Sequence, residues 1–341
     1  MTDFFALEPG EQVERLAVAG QAALRHWGVQ NATLDLIKYR ENAVFRIEHA
    51  GSRMALRLHR YGYHSDAELH SELQWIRALE DAGIAVPTVV PAESGDLFVK
   101  QGSPDLPGEI QVDLFQWIDG EQLGSVEAGI SDPARVATIY ETLGELAARV
   151  HNQAAQWQPP PGFRRRAWDA EGLAGEQPVW GRFWEVAAAS PSERDLMNRI
   201  RDRIHRDLRA LDTTPASYSM IHADFAPENL LVEGDRVRLI DFDDAGPGWH
   251  LFEIATSLYF IQSEPYFDEA RDALINGYRR HRALSDEQLE QLPLHLVARG
   301  FTYVGWVHTR SETQTARELT PMLLESACTL AEDYLSRRAR D

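Results

Sequence analysis

The sequence predicts an α+β protein, with antiparallel strands gathered in the N-terminal third and helices through most of the remainder. Three observations carry this. Apolar-rich runs of strand length, separated by turn residues, fall at residues 36–47, 54–58, 97–101 and 110–117. From about residue 132 the apolar residues change to helical spacing, as in Ile139, Leu143, Leu146 and Val150. One hairpin interrupts that part, with runs at 230–232 and 236–240 around the tight-turn sequence Glu233-Gly234-Asp235. The chain has 341 residues, 44% of them hydrophobic, ample for two packed lobes and more than one core.

In chain order, Val13, Leu16, Ala17, Leu24 and Trp27 predict a packing helix, with Gly20 a gap on its face and Gly28 where it stops. Two strands follow, at 36–47 and 54–58, joined by a turn at Gly51-Ser52-Arg53. The stretch 66–81 reads as a helix with Leu69, Leu73, Ile76 and Leu79 on one face, ended by Gly83 and Pro87. Two further strands lie either side of a Pro/Gly-rich loop and lead into Ile118-Asp119-Gly120. The helix through Ile139 ends at His151, read as a buried structural histidine. Residues 157–190 are rich in Trp, Pro and Gly, and Arg164, Arg165 and Arg166 read as a solvated loop. Helices are expected soon after Asp244, over about 265–281, and over 286–337, the last two as the acceptor wall. Arg299, Tyr303, Trp306 and His308 share one helical stretch and read as core and snorkelling residues.

The chemistry concentrates in residues 222–244. His222-x-Asp224, with Asn229 five positions later, places a candidate base and an amide metal ligand on one loop. Asp241 comes twelve residues after Asn229, and the intervening hairpin is expected to return it beside Asn229. A transferred phosphoryl group carries dispersed negative charge, so a protein must hold a metal, position the acceptor hydroxyl and take its proton. Asp224 suits the proton, His222 would brace the loop, and Asn229 and Asp241 offer the oxygen donors that Mg²⁺ prefers. Asp243 or Asp244 would add a second carboxylate.

This run resembles the kinase-like phosphotransferase family that includes aminoglycoside phosphotransferases, choline kinases, hydroxylysine kinases and type II homoserine kinases. The resemblance implies a two-lobed protein-kinase-like fold, with a small antiparallel-sheet N-lobe at 1–115, a hinge at 116–120 and a larger, mainly helical C-lobe at 121–341. It implies ATP and Mg²⁺ as cofactors. In such a lobe a loop covers the phosphates. Residues 39–43 take that place, without a Gly-x-Gly-x-x-Gly sequence, and Asn42 is the candidate. Arg57 stands where a strand usually presents Lys to the α and β phosphates. Arg can supply the same charge and hydrogen bonds, bidentately. Glu72 would be its ion-pair partner, with Glu68 one turn earlier as the rival. Backbone groups of Gln116 and Ile118 would hold adenine. Glu253 stands where the family usually has the Asp that braces the catalytic loop.

Composition narrows the function. A net charge of −19 argues against nucleic acid or an anionic membrane as partner and suits a cationic substrate. No apolar run approaches the ~18 to 20 residues of a spanning helix, and the single Cys328, read as a buried and inert thiol, excludes an intrachain disulfide. A cytoplasmic location is expected; no feature signals an oligomeric state. After Asp244 the chain enters a helix with no room for a long activation segment, which favours a small-molecule hydroxyl acceptor. Homoserine or a related amino alcohol is the first expectation. A protein Ser/Thr kinase resembling the bacterial stress-response kinase, or a nucleotide-binding regulator without catalysis, are the alternatives.

Overall fold

A computed structural model of the chain describes residues 4–124, 133–233 and 236–338. The chain forms two compact units. One comprises Met1–Glu121, Pro159–Arg164 and Leu231–Asp243, the other Gln122–Gln158, Arg165–Leu230 and Asp244–Asp341.

The first unit opens with helix α1 (Pro9–Ala23) and a short 3₁₀ turn that ends at Gly28, whose φ of +68° only glycine adopts without strain. Strands β1 (Thr33–Tyr39), β2 (Ala43–His49) and β3 (Ser52–Leu58) follow, then α2 (Asp66–Asp81), β4 (Phe98–Gln101) and β5 (Ile110–Gln116). They form one antiparallel sheet in the order β1-β2-β3-β5-β4. The run 36–47 divides into two strands at the loop expected over 39–43: the chain reverses at Arg40-Glu41-Asn42 and pairs Tyr39 with Ala43. Gly20 is a contact rather than a gap: a Cβ there would stand 3.0 Å from Leu56 Cδ2, so α1 lies close on the sheet. Leu16, Ala19, Phe45, Ile47, Leu56 and Leu114 are buried together, each large side chain contributing about 1.5–3 kcal/mol of transfer free energy. Helix α2 starts at a capping box in which Ser65 accepts from the Glu68 N–H while the Glu68 carboxylate accepts from the Ser65 N–H. Its buried face carries Leu69, Glu72, Leu73 and Ile76.

A two-residue strand, β6 (Glu121–Gln122), precedes the helical part. Helices α3 (Val136–Gln156), α4 (Ala170–Ala174) and α5 (Pro191–Arg209) are followed by β7 (Tyr218–Ile221), β8 (Leu230–Glu233), β9 (Arg236–Leu239) and β10 (Gly246–Trp249). Then come α6 (His250–Leu258), α7 (Phe267–Arg279), α8 (Asp286–Leu289), α9 (Leu292–Thr309) and α10 (Gln314–Arg338). Strands β8 and β9 are neighbours in one sheet; the turn residues Gly234 and Asp235 lie outside the described residues. The helical stretch expected over 286–337 is broken twice. Pro293 occupies the first turn of α9, and the Thr313 hydroxyl accepts from the Ala316 N–H, restarting the helix as α10. In the second unit α3 crosses α7 through paired glycines: a Cβ on Gly144 would lie 2.0 Å from the Leu274 carbonyl, and one on Gly277 2.0 Å from the Glu141 carbonyl. A core of Trp168, Phe183, Ile200, Ile221, Phe252, Val297 and Phe301 ties α5, α6 and α9 together. No helix among the described residues is long and apolar enough to cross a membrane.

Candidate active site

In the second unit, β7 pairs antiparallel with β10, Ile221 opposite Gly246 and Tyr218 opposite Trp249. The antiparallel ladder puts its two exits at opposite ends: His222 leaves β7 beside Gly246, and His250, whose N–H donates to the Ser217 carbonyl at 2.9 Å, begins α6 at the other end. Glu253, on the first turn of α6, is fully buried and reaches back to that loop. Its Oε1 accepts the His222 N–H and its Oε2 the Ala223 N–H, each at 2.7 Å. The longer side chain therefore braces the loop where Asp was expected. Burial pushes its carboxyl above the usual range, opposed by His222 and the two backbone donors. His151, on α3, lies 3.6 Å from Glu253, bonds the Tyr278 hydroxyl at 2.9 Å and stacks on His250 at 4.2 Å. Burial holds its pKa well below that of an ordinary histidine.

The loop then presents Asp224. Ala223 has a left-handed backbone, φ +64°, unusual for a residue with a Cβ. His222 is buried, and its Nδ1 faces the Asp224 N–H at 3.3 Å. A 3₁₀ turn, Pro227–Asn229, swings Asn229 back so that its Nδ2 donates to the Asp224 carbonyl at 2.9 Å and to Asp224 Oδ2 at 2.7 Å. With its nitrogen so used, Oδ1 is the atom that Asn229 can offer a cation. Asp224 keeps 27% of its side chain exposed. Its pKa is pushed up to about 6, by burial first and by the charges of Asp244 and Glu228, against the pull of Arg299 and Asn229. A carboxylate with that pKa is a stronger base than a surface aspartate and still ionised at neutral pH.

The first unit holds the other predicted residues. Arg57, on β3, is buried; its Nη2 lies 2.7 Å from Glu72 Oε1 and 2.6 Å from Asp113 Oδ2, while its Nε donates to Asp113 Oδ1 at 3.1 Å. Burial disfavours the charged guanidinium, but Asp113 and Glu72 outweigh it and raise its pKa well above the usual value. Glu68, the rival partner, is used by the helix cap. His59 Nε2 meets Asp113 Oδ2 at 3.0 Å, and His64 Nε2 meets the Asp243 carbonyl at 2.8 Å. Asp243 is buried; despite burial, hydrogen bonding and charge at His64, Arg57 and His59 hold its carboxyl far below the usual range. It is therefore a carboxylate at any physiological pH. Asp241 is exposed with a left-handed backbone, φ +67°, and next to it Phe242 is buried edge-on against Trp75. Asn42 Oδ1 accepts the Arg60 N–H at 3.0 Å, fixing the β1–β2 turn. The Gln116 N–H is bonded to the Thr88 carbonyl at 2.9 Å, and Ile118 is half-buried.

Oxygen donors suited to a hard divalent cation are thus present as Asn229 in one unit and Asp241 and Asp243 in the other. A separate grouping, His64, Glu72 and Asp243, brings one donor atom of each within 4.8 Å of the others, although Glu72 already carries the Arg57 ion pair. Two residues of weight escaped the sequence reading. Asp113 had a readable signal, a charge inside the apolar run of β5. Arg299 was named only among core and snorkelling residues of a helix expected to wall the acceptor.

A model of the phosphotransferase enzyme family (APH) matches residues 37–287. The chain belongs to this phosphotransferase family. A solved structure described as a microcompartment-associated aminopropanol kinase is 33% identical to the phosphotransferase, with a TM-score of 0.82 over 94% of this chain and 98% of that one. The amicoumacin kinase of Bacillus subtilis (strain 168) is 22% identical over 312 residues, 88% of this chain and 87% of that protein. A homoserine kinase of Rhizobium meliloti (strain 1021) is 25% identical over 268 residues, 76% of this chain and 73% of that protein. The phosphotransferase is a small-molecule kinase with the two-part fold of its family, a fold that implies ATP and a divalent metal. Neither a protein kinase nor a regulator without catalysis is favoured by these likenesses.

Proposed function

We propose that the phosphotransferase moves the γ-phosphate of ATP, with Mg²⁺, to the hydroxyl of a small amino alcohol of the size of homoserine or aminopropanol. The observation that carries this reading is the likeness to an aminopropanol kinase at 33% identity across nearly the whole chain. A homoserine kinase at lower identity and the net charge of −19 agree with an amine-bearing acceptor. Asp224 is the base: raised to about 6, it accepts the acceptor proton while the hydroxyl oxygen attacks. Asn229 orients it through Oδ2, and Glu253 and His222 hold the loop that presents it. Arg57, kept in place by Glu72 and Asp113, is assigned to the phosphates, with Asn42 in the covering turn and the backbone of Gln116 and Ile118 at adenine. Asn229, Asp241 and Asp243 would hold Mg²⁺, which when bound neutralises phosphate charge.

The test is consumption of Mg-ATP by the purified protein across homoserine, aminopropanol, ethanolamine, choline, sugars and aminoglycosides, with Asp224→Asn as control. Turnover concentrated on amino alcohols and lost in the control is expected. Turnover confined to sugars or aminoglycosides would overturn the acceptor class.

A further inference from the structure

Arg299 lies on the face of α9 turned to the catalytic loop and is fully buried. An isolated guanidinium out of water is costly, so what surrounds it must compensate. Its Nη1 donates to the Ala223 carbonyl at 2.9 Å, and its Nη2 to Asp224 Oδ1 at 3.0 Å and to the Tyr303 hydroxyl at 2.8 Å. The guanidinium lies over the rings of Tyr303, Trp180 and Phe252, 4.3, 4.6 and 5.5 Å from their centroids. Such ring faces stabilise a desolvated cation. Trp180 in turn donates its indole N–H to Asp244 Oδ1 at 2.9 Å.

Two consequences follow for the loop. The left-handed Ala223 residue is held in both of its peptide groups, its N–H by Glu253 and its carbonyl by Arg299. The Asp224 carboxylate is likewise divided: Oδ1 takes Arg299 and Oδ2 takes Asn229. Each carboxylate oxygen can accept more than one hydrogen bond, so a lone pair remains for the acceptor hydroxyl while the plane of the carboxylate is fixed. We propose that Arg299 is the positioning residue of the catalytic base, setting the backbone of Ala223 and the rotamer of Asp224 with one guanidinium. Only a planar fork reaches a carbonyl, a carboxylate and a hydroxyl at once while keeping its charge over aromatic rings; a lysine ammonium does not.

The proposal rests on Asp224 as the base, and its test separates the two. Arg299→Met, Arg299→Lys, Tyr303→Phe, Asp224→Asn and the doubles Asp224→Asn/Arg299→Met and Asp224→Asn/Tyr303→Phe are compared for turnover of homoserine and aminopropanol. Acceptor-free hydrolysis of Mg-ATP, in which water would replace the acceptor, is measured beside it. Arg299→Met is expected to lower kcat about a hundredfold, the loss typical of a catalytic group displaced by an ångström, with KM for ATP unchanged. Arg299→Lys should not rescue it, and the double variant should be no slower than Asp224→Asn. Tyr303→Phe keeps the ring and removes one hydrogen bond, so it serves if Arg299→Met does not fold. It should lower kcat severalfold in the wild-type background and not at all beside Asp224→Asn. Unchanged kcat in Arg299→Met or Tyr303→Phe, or independent multiplicative losses, overturns the proposal. Full activity in Asp224→Asn would remove Asp224 as the base, a wrong acceptor class would leave hydrolysis still dependent on Asp224 and Arg299, and an inactive Asp224→Asn beside unchanged rates in Arg299→Met would overturn the role of Arg299 alone.

Discussion

As the proposed base, Asp224 has its carboxylate held by Asn229 and Arg299 while burial weakens its acidity. Its pKa of about 6 gives a signed pH dependence. Below that value the carboxyl holds its own proton and cannot take another, so kcat/KM should fall as pH drops through about 6 and level off above it. A pH–rate profile between pH 5 and 8 reads this directly, and a flat profile would remove Asp224 from the proton transfer. Asp224→Asn should cost about 10²–10⁴-fold in kcat, the usual contribution of a positioned general base. Arg57 illustrates the opposite balance. Asp113 supplies two of its three charged contacts, so Asp113→Asn leaves a buried guanidinium with Glu72 as its remaining strong partner. Breaking such a pair costs about 3–5 kcal/mol, and the retained Glu72 puts the expected loss near the lower end. Urea unfolding measures it. A change within experimental error would mean that Asp113 is dispensable to the network.

At the scale of elements, the positions that matter are where two backbones touch. Helices α3 and α7 cross through Gly144 and Gly277, whose missing Cβ atoms are replaced by carbonyl oxygens of the other helix. Gly144→Ala has no room and no flexible neighbour to move, so it should destabilise by about 1–3 kcal/mol or more through overpacking. Gly10, in the first turn of α1, has nothing within 4 Å of the same added atom. Gly10→Ala should be neutral or stabilise by about 0.5–1 kcal/mol, because alanine is the better helix former. Thermal melting of both variants tests the contrast, and equal effects would refute the packing account. Helix α2 was legible to the residue because its signals are local, a Ser65–Glu68 capping box at the start and Gly83 past the end. The β1–β2 reversal was legible only through the resemblance that set a loop at 39–43, because Arg40-Glu41-Asn42 carries no glycine or proline and its turn is closed by Asn42 bonding to Arg60, beyond β3.

Over the whole molecule, a net charge of −19 is distributed on a chain with 53 acidic and 34 basic residues. Like charges repel in the folded state, and salt screens them over a Debye length of about 8–10 Å. Moderate sodium chloride should therefore raise the melting temperature, on the order of a few °C. A fall in melting temperature with added salt would show that the ion pairs outweigh the repulsion. Cys328 adds nothing reactive at neutral pH, since burial pushes its thiol up to about 11.

The sequence by itself determined the family and the chemistry, because His222, Asp224 and Asn229 lie within one loop whose spacing is a local property of the chain. It likewise determined where α2 begins and that a helix carrying Glu253 follows Asp244; that Glu253 braces the loop came from the tertiary structure. The tertiary structure decided what controls those residues. Arg299 is 75 positions from Asp224 and Asp113 is 56 from Arg57, and the α3–α7 glycines meet only when the helices cross. An arginine in an amphipathic helix reads as a snorkelling surface residue until the fold closes rings over it. Burial converts it into a clamp, since a desolvated guanidinium must find fixed acceptors and the catalytic loop supplies them.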